Sequence, residues 1–273
     1  MLGQNSIQQH AATRIACGDA KRAAFALRSP RKNQLLAALP PEVYERLLPD
    51  LEPVPLPQGW TVHGADQREQ HLYFPTEGIV SRLYMIENGA AAEIAVTGNE
   101  GMIGVASFLG GESSPSQAVV LSAGYAYRLR TALVRSEFRR GDALLHLLLR
   151  YTAALIAQAG QTAVCNRHHS VHQQLCLWIL SCLDRMPANE LAMTQEQIAN
   201  MLGVRREGVT QAAGKLQKAG LIDYHRGHIA VLDRAGLELQ ACECYAVVKR
   251  EFDRLLPGAH NADNSGASGR RYQ

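Results

Sequence analysis

Residues 194–216 read TQEQIANMLGVRREGVTQAAGKL, and they carry the most specific signal in this 273-residue chain. Thr194 followed by Gln197 has the spacing of a capping box, in which each side chain satisfies a backbone N–H left free by the first turn, so a helix should start at Gln195. Ile198, Ala199 and Leu202 fall on its buried face. Gly203 ends it, because a tight corner needs a left-handed residue and glycine enters that region without a Cβ penalty. Val204 plugs the corner. A second helix is expected from near Arg205 to about Ala219, with Val209, Ala213 and Leu216 pointing inward. Arg206, Glu207, Thr210, Gln211 and Gly214 then share the opposite face.

Two short helices joined at a glycine corner, with polar groups opening the second, have the geometry that enters a major groove. The second helix's N-terminus and Arg205 suit a backbone phosphate. Arg206 can reach guanine, Gln211 adenine, and Glu207 a cytosine amino group. A plain helical hairpin with a solvated charged face shares this spacing, but residues 221–232 argue against it. Leu221 and Ile222 begin a strand, residues 225–228 make a turn, and Ile229 to Leu232 return. A hairpin directly after a recognition helix is a wing, and Arg226 with its neighbouring histidines could touch phosphate.

Upstream, Leu144, Leu148, Tyr151 and Leu155 follow the 4-3-4 spacing of a heptad seam. Asp142 is a good N-cap for this helix, expected from about Ala143 to Cys165. Leu145, Leu149 and Ile156 widen the stripe, so one side can bury against its own domain and the other against a partner helix. The favoured reading is a homodimer interface; the other is a core helix in a monomer. A second helix should run from about Val171 to Asp184. From Leu51 to about Arg130, short apolar runs alternate with Gly and Pro turn signals. The strand-like pieces are Leu72 to Phe74, Ile79 to Met85, Ala92 to Val96, Ala118 to Leu121 and Tyr125 to Leu129, the pattern of an all-β sandwich or barrel. Two short helices are expected near residues 33–39 and 41–48. Residues 1–32 read as a mobile leader, and 257–273 as a disordered tail.

The formal charge of +3 permits nucleic-acid binding without arguing for it. No run of about 18 apolar residues suggests a bilayer span. The N-terminus lacks a signal-peptide pattern, so a cytoplasmic protein is expected. The six cysteines, at 17, 165, 176, 182, 242 and 244, are scattered and expected to be thiols. Cys242 and Cys244 are expected on a last helix, facing different directions, in packing roles. Of His168, His169 and His172, the first and last could share a helix face, but no acidic or cysteine partner stands at a third ligand spacing, although Cys165 is near, so no metal is expected. Gly111 to Ser114 do not form a nucleophile elbow. Neither an enzyme motif nor a cofactor motif is present.

With these parts in this order, the chain resembles the Crp/Fnr family of bacterial transcription regulators over about Asn33 to Leu256. The resemblance implies an α+β fold: an N-terminal β jelly-roll sensor domain (33–141), a long dimerisation helix (142–165) and a C-terminal winged helix-turn-helix (166–256). It implies base contacts from Arg206 and Glu207, an inverted-repeat operator on double-stranded DNA, and RNA polymerase as a further partner. The position of Gln211 is commonly Arg in the family, which leaves the preferred half-site open. In the sensor, Glu100, Gly101 and Gly104 look like the lead-in to a cyclic-nucleotide phosphate turn. The family's nucleotide binders then carry Glu where this chain has Val105, and Arg where it has the loop from Ser114 to Ser116. The effector pocket is therefore read as degenerate, serving an unidentified small molecule rather than cyclic AMP. Members with an iron–sulfur cluster bind it through N-terminal cysteines, of which this chain has only Cys17. The competing reading is a ligand- or protein-binding module whose helix pair no longer reads DNA.

Overall fold

The computed structural model describes residues 29–186 and 188–256. The expected tail, Cys17 and the leader as far as residue 28 lie outside the described residues. Order begins before the expected boundary, since the Ser29 side chain caps a 3-10 turn at Pro30–Lys32. Asn33 caps α1 (Gln34–Ala37), and its amide also donates to the carbonyls of Pro75 and Gly101, so one side chain fixes the entry helix to the sheet. Helix α2 (Pro41–Leu47) starts on a proline, whose missing N–H costs nothing at that position.

Five antiparallel strands follow: β1 (Glu52–Leu56), β2 (Thr61–His63), β3 (His71–Met85), β4 (Ala91–Thr97) and β5 (Gln117–Arg130). Their order is β1-β5-β3-β4, with β2 also on β5. The sequence pieces at 72–74 and 79–85 are one strand, as are those at 118–121 and 125–129. Register shifts around Glu77 and Ile79 let these long strands bend where the sequence pattern breaks. Leu72, Phe74 and Leu129 face a helical layer, while Tyr73, Val80, Val120 and Ala126 form a second cluster on the opposite face, as the period-2 alternation of a strand requires.

Helix α3 (Thr131–Arg139) leads to α4 (Ala143–His168), capped by Asp142 and three residues longer than expected. Leu144, Leu148, Tyr151 and Leu155 are 2%, 0%, 1% and 8% exposed, packed with α1, α2 and the sheet. This corrects their assignment to a partner helix. The stripe closes the chain's own core, and the opposite face, with Leu149, Ile156 and Val164, is open. By length and composition α4 could cross a membrane, yet Leu144, Leu147, Leu148, Tyr151 and Leu155 on one side of it belong to this core.

The remaining elements are α5 (Val171–Leu183), β6 (Glu190–Ala192), α6 (Gln195–Leu202), α7 (Arg206–Lys218), β7 (Ile222–His225), β8 (His228–Val231), α8 (Arg234–Gln240) and α9 (Glu243–Leu255). Strand β6, too short to show a pattern in the sequence, pairs with β8 to make a sheet in the order β6-β8-β7. A second core joins α5, α6, α7 and this sheet, and takes in Ile79, Val96 and Leu121 of the first domain. Helix α9 runs back along α4, and its Phe252, with Leu256 just beyond, enters the first core. The two domains are thus packed together at two places.

Candidate nucleic-acid interface

Both halves of the capping box form. Thr194 Oγ1 accepts from the Gln197 amide at 3.3 Å, and Gln197 Oε1 accepts from the Thr194 amide at 2.9 Å. Gly203 sits at φ +66° as the α6 C-cap, and a Cβ there would lie 3.3 Å from Ala92 of β4, so the corner rests on the first domain's sheet. Arg205 is the extended N-cap of α7 and makes no side-chain cap; its carbonyl accepts from the Gly208 amide at 3.0 Å, which leaves the amides of Arg206 and Glu207 to other partners. Val209, Ala212, Ala213 and Leu216 are buried. Arg205, Arg206, Glu207, Thr210 and Gln211 are exposed together. The Thr210 hydroxyl lies 2.6 Å from Gln195 Oε1, tying α7 to α6.

The wing turns on Arg226 and Gly227, at φ +49° and +81°, the two positive values of a type I′ hairpin. Arg226 and His228 are exposed at its tip, while His225 lies 2.7 Å from Asp223. Tyr224 donates to the carbonyl of Met193 at 2.8 Å, fixing the wing against the start of α6. A Cβ on Gly227 would lie 3.5 Å from Thr194, so the wing tip sits at the start of α6, which Thr210 joins to α7.

The six expected effector-pocket residues divide into separate settings. Glu100 pairs with Arg185, just past the end of α5, at 2.6 Å, both side chains being buried. Gly101 lies under Tyr151, so that a Cβ would collide with the ring, and the Tyr151 hydroxyl donates to Met102 O at 3.0 Å. These two positions serve the contact with α4 and α5. Gly104, at φ +103°, opens a 3-10 turn at Val105–Ser107. The Ser107 amide donates to Glu69 Oε2 at 3.1 Å. Ser114 and Ser116 pair through their hydroxyls at 2.7 Å.

Glu69 and its neighbour His63 carry no local mark in the sequence, and neither is among the expected site residues. Burial raises the Glu69 carboxyl, and burial with the nearby Arg82 charge drops His63 to about 4. They stand 3.5 Å apart, each pushed toward its neutral form.

A further buried acid joins the domains. Glu93 of β4 accepts from Trp178 Nε1 of α5 at 3.0 Å and from Ser81 Oγ at 2.5 Å. Burial raises its carboxyl from the ordinary 4.5 to about 7, against the opposing pull of those two hydrogen bonds and of Arg185.

Of the histidines considered as ligands, His168 is exposed and His172 Nε2 lies 3.2 Å from Gln240 Oε1. Cys242 and Cys244, expected to diverge, converge instead on Cys165 and His169.

Family comparisons agree with this division into parts. A model described as a cyclic nucleotide-binding domain matches residues 53–140, and one described as a Crp-like helix-turn-helix domain matches residues 173–239. No curated protein sequence matches the chain. Among solved structures, FixK2 from Bradyrhizobium japonicum is 16% identical, over 70% of this chain and 98% of its own, with a TM-score of 0.61. A Crp/Fnr-family transcriptional regulator from Thermus thermophilus is 23% identical, over 70% and 98%, with a TM-score of 0.55. The c-di-GMP-responsive global regulator CLP from Xanthomonas campestris is 16% identical, over 70% and 98%, with a TM-score of 0.57. At these identities the likeness is one of fold.

Proposed function

The chain belongs to the Crp/Fnr family of bacterial transcription regulators, and we propose that it is a cytoplasmic homodimer that reads an inverted-repeat operator under a signal other than a cyclic nucleotide. The observation that carries this reading is the open face of α7. Arg206, Glu207 and Gln211 are exposed on a helix whose other side is locked into the core, and the wing arginine is exposed as well. Arg206 and Glu207 have the chemistry for base edges, and Arg205 and Arg226 for phosphate. RNA polymerase is the partner through which such a protein would act.

The dimer is built on the outer face of α4 rather than on its buried stripe. Leu149, Ala153, Ile156, Gly160 and Ala163 repeat at 4-3-4-3 spacing there, the period of a two-helix seam, with small residues that let two backbones approach. Against cyclic nucleotides stand Val105, a Ser114 to Ser116 loop without a cation, and a turn amide already held by Glu69.

Selection of bound duplexes from a random library, with the full-length chain, tests the reading. Twofold-symmetric sites are expected, with half-site centres about 34 Å apart or a multiple of it. Leu149→Asp together with Ile156→Asp should give folded monomers that bind the selected site about 100-fold more weakly, as the linked second half-site is lost. A wild-type monomer at micromolar concentration in sedimentation would overturn the dimer.

A further inference from the structure

Four potential metal ligands from opposite ends of the C-terminal half meet at one point. Cys165 lies in the last turn of α4 and His169 caps that helix. Cys242 caps α9 and Cys244 lies in its first turn. Their ligand atoms all fall within 4.8 Å of one another. Cys165, Cys242 and Cys244 are 3%, 6% and 0% exposed.

The backbone explains why the pair at 242 and 244 converges. Cys242 is extended, at φ −80° and ψ 166°, and the helix begins only at Glu243. The two thiols therefore straddle a helix start instead of fanning round a helix. His169 is likewise extended, at φ −103° and ψ 153°, and its amide caps back onto the Cys165 carbonyl.

The separations have the scale of a coordination tetrahedron. With Zn–S near 2.3 Å and Zn–N near 2.0–2.1 Å, ligand atoms stand about 3.8 Å apart for two sulfurs and about 3.5 Å for sulfur and nitrogen. Here Cys165 Sγ and Cys242 Sγ are 3.6 Å apart, and Cys244 Sγ and His169 Nδ1 are 3.4 Å apart. A disulfide would need about 2.05 Å.

The surroundings are those of a ligating histidine. While Nδ1 of His169 faces the thiols, its Nε2 lies 3.4 Å from Glu243 Oε2, and such a carboxylate behind the ring fixes tautomer and orientation. Gln161 Nε2 donates to Cys244 Sγ at 3.0 Å, and Gln174 Nε2 to the His169 carbonyl at 2.9 Å.

We propose that Cys165, His169, Cys242 and Cys244 form a Cys3His site for one divalent ion of the zinc class. Three thiols and an imidazole suit a borderline-soft ion in tetrahedral geometry and disfavour magnesium or calcium, which take oxygen ligands. On binding, the thiols release their protons to solvent and no oxidation state changes. The ion would fasten the end of α4 to the start of α9, beside the entry to α5. Its place is the joint between the helix whose outer face is open and the domain that carries α7, so occupancy would set how that domain is held. The proposal needs no operator: it would stand if DNA binding failed, and fall without touching the reading of α7.

The test is elemental analysis of the full-length protein, produced in zinc-replete cells and purified without chelator. About one zinc per chain is expected, falling to trace levels in Cys244→Ser and reduced in His169→Ala, with His168→Ala unchanged as the neighbouring control. If Cys244→Ser does not fold, cobalt(II) titrated into reduced, metal-stripped wild-type protein decides. The strong visible bands of a tetrahedral thiolate complex are expected, bleached by added zinc. Trace zinc in the wild type with no such cobalt spectrum would overturn the site. So would equal zinc in the wild type, Cys244→Ser and His169→Ala.

Discussion

Gly203 and Gly104 both sit in the left-handed region, at φ +66° and +103°, and both lead the chain into a helical turn. After Gly203 come the extended N-cap Arg205 and then Arg206, both exposed, and Arg206 opens a 13-residue helix without a side-chain cap. After Gly104 comes a 3-residue 3-10 turn whose Ser107 amide is taken by the chain's own Glu69. Unpaired helix-start amides attract anions, and in this molecule the two starts meet opposite ends. One faces outward among cations. The other is closed from within by a carboxyl, in the region where the family's nucleotide binders hold phosphate. Local backbone geometry is therefore not what makes an anion site; the group that arrives from elsewhere in the fold decides.

The comparison depends on the domains staying docked, and Glu93 sits in that joint. Its carboxyl is raised from 4.5 to about 7 by burial, so the folded protein holds a proton there that the unfolded chain has released. A raised folded value contributes stability fully present below pH 4.5 and lost as pH rises through about 7. At roughly 1.4 kcal/mol per unit the loss across that window is about 3 kcal/mol. Glu93→Gln, which stays neutral, should remove this slope and be the more stable protein at pH 8. Urea unfolding of both proteins from pH 5 to 8 measures it; parallel pH profiles would mean Glu93 is solvated and the joint loose.

At the open start, Arg206→Ala should cost roughly 1–3 kcal/mol at one base position and relax selectivity there. Arg205→Ala should weaken all sequences alike and lower the salt slope by about 0.9, since a phosphate contact releases counterions but reads no base. Titration against single-base operator variants at two salt concentrations separates the two. An Arg206→Ala protein with unchanged affinity and base preference would remove α7 from the groove and with it one side of the comparison.

The turns themselves should differ in tolerance. A Cβ at Gly104 would lie 3.0 Å from the carbonyl of His71, a backbone atom, and φ +103° is foreign to other residues. Gly104→Ala should cost about 1–3 kcal/mol. At Gly203 the neighbour is the Ala92 side chain at 3.3 Å, and φ +66° is one that other residues reach at moderate cost. Gly203→Ala should lose only about 1 kcal/mol. Thermal or urea unfolding gives the order, and a reversed order would show the Gly104 turn to be the more adaptable one.

The helix-turn-helix is legible residue by residue because its signals are local. A capping box, a left-handed glycine and an apolar face all lie within 23 positions, and each forms. What the sequence hides are meetings between distant groups. Glu69 and Ser107 are 38 positions apart, and Glu100 and Arg185 are 85 apart. The apolar surface of α4 is wide enough for two partners, and periodicity does not say which side the chain covers itself. Leu144 and Leu148 look no different in sequence from Leu149, yet they are buried and Leu149 is 44% exposed. The thiols at 242 and 244 mislead for a related reason: their spacing diverges inside a helix and converges across its first residue.

The smallest effect expected is none at all. Cyclic AMP and cyclic GMP at physiological levels should give no heat in calorimetry with this protein and leave its DNA affinity unchanged. To bind at the Gly104 turn, a phosphate would have to displace Glu69 from the Ser107 amide and do without a loop cation, since residues 114–116 are Ser, Pro and Ser. A missing charge-assisted pair alone is worth about 1.5–3 kcal/mol, roughly ten- to a hundredfold in affinity. Arg82 is a cation whose charge does reach this region, but it acts there on Glu69 and His63. A ligand shifts a conformational equilibrium only by its differential affinity for the two states, so one that does not engage this turn cannot move α7 through it. Micromolar binding of either nucleotide, coupled to tighter operator binding, would mean that Glu69 swings aside and that the closed start is an anion site held shut, no different in kind from the open one.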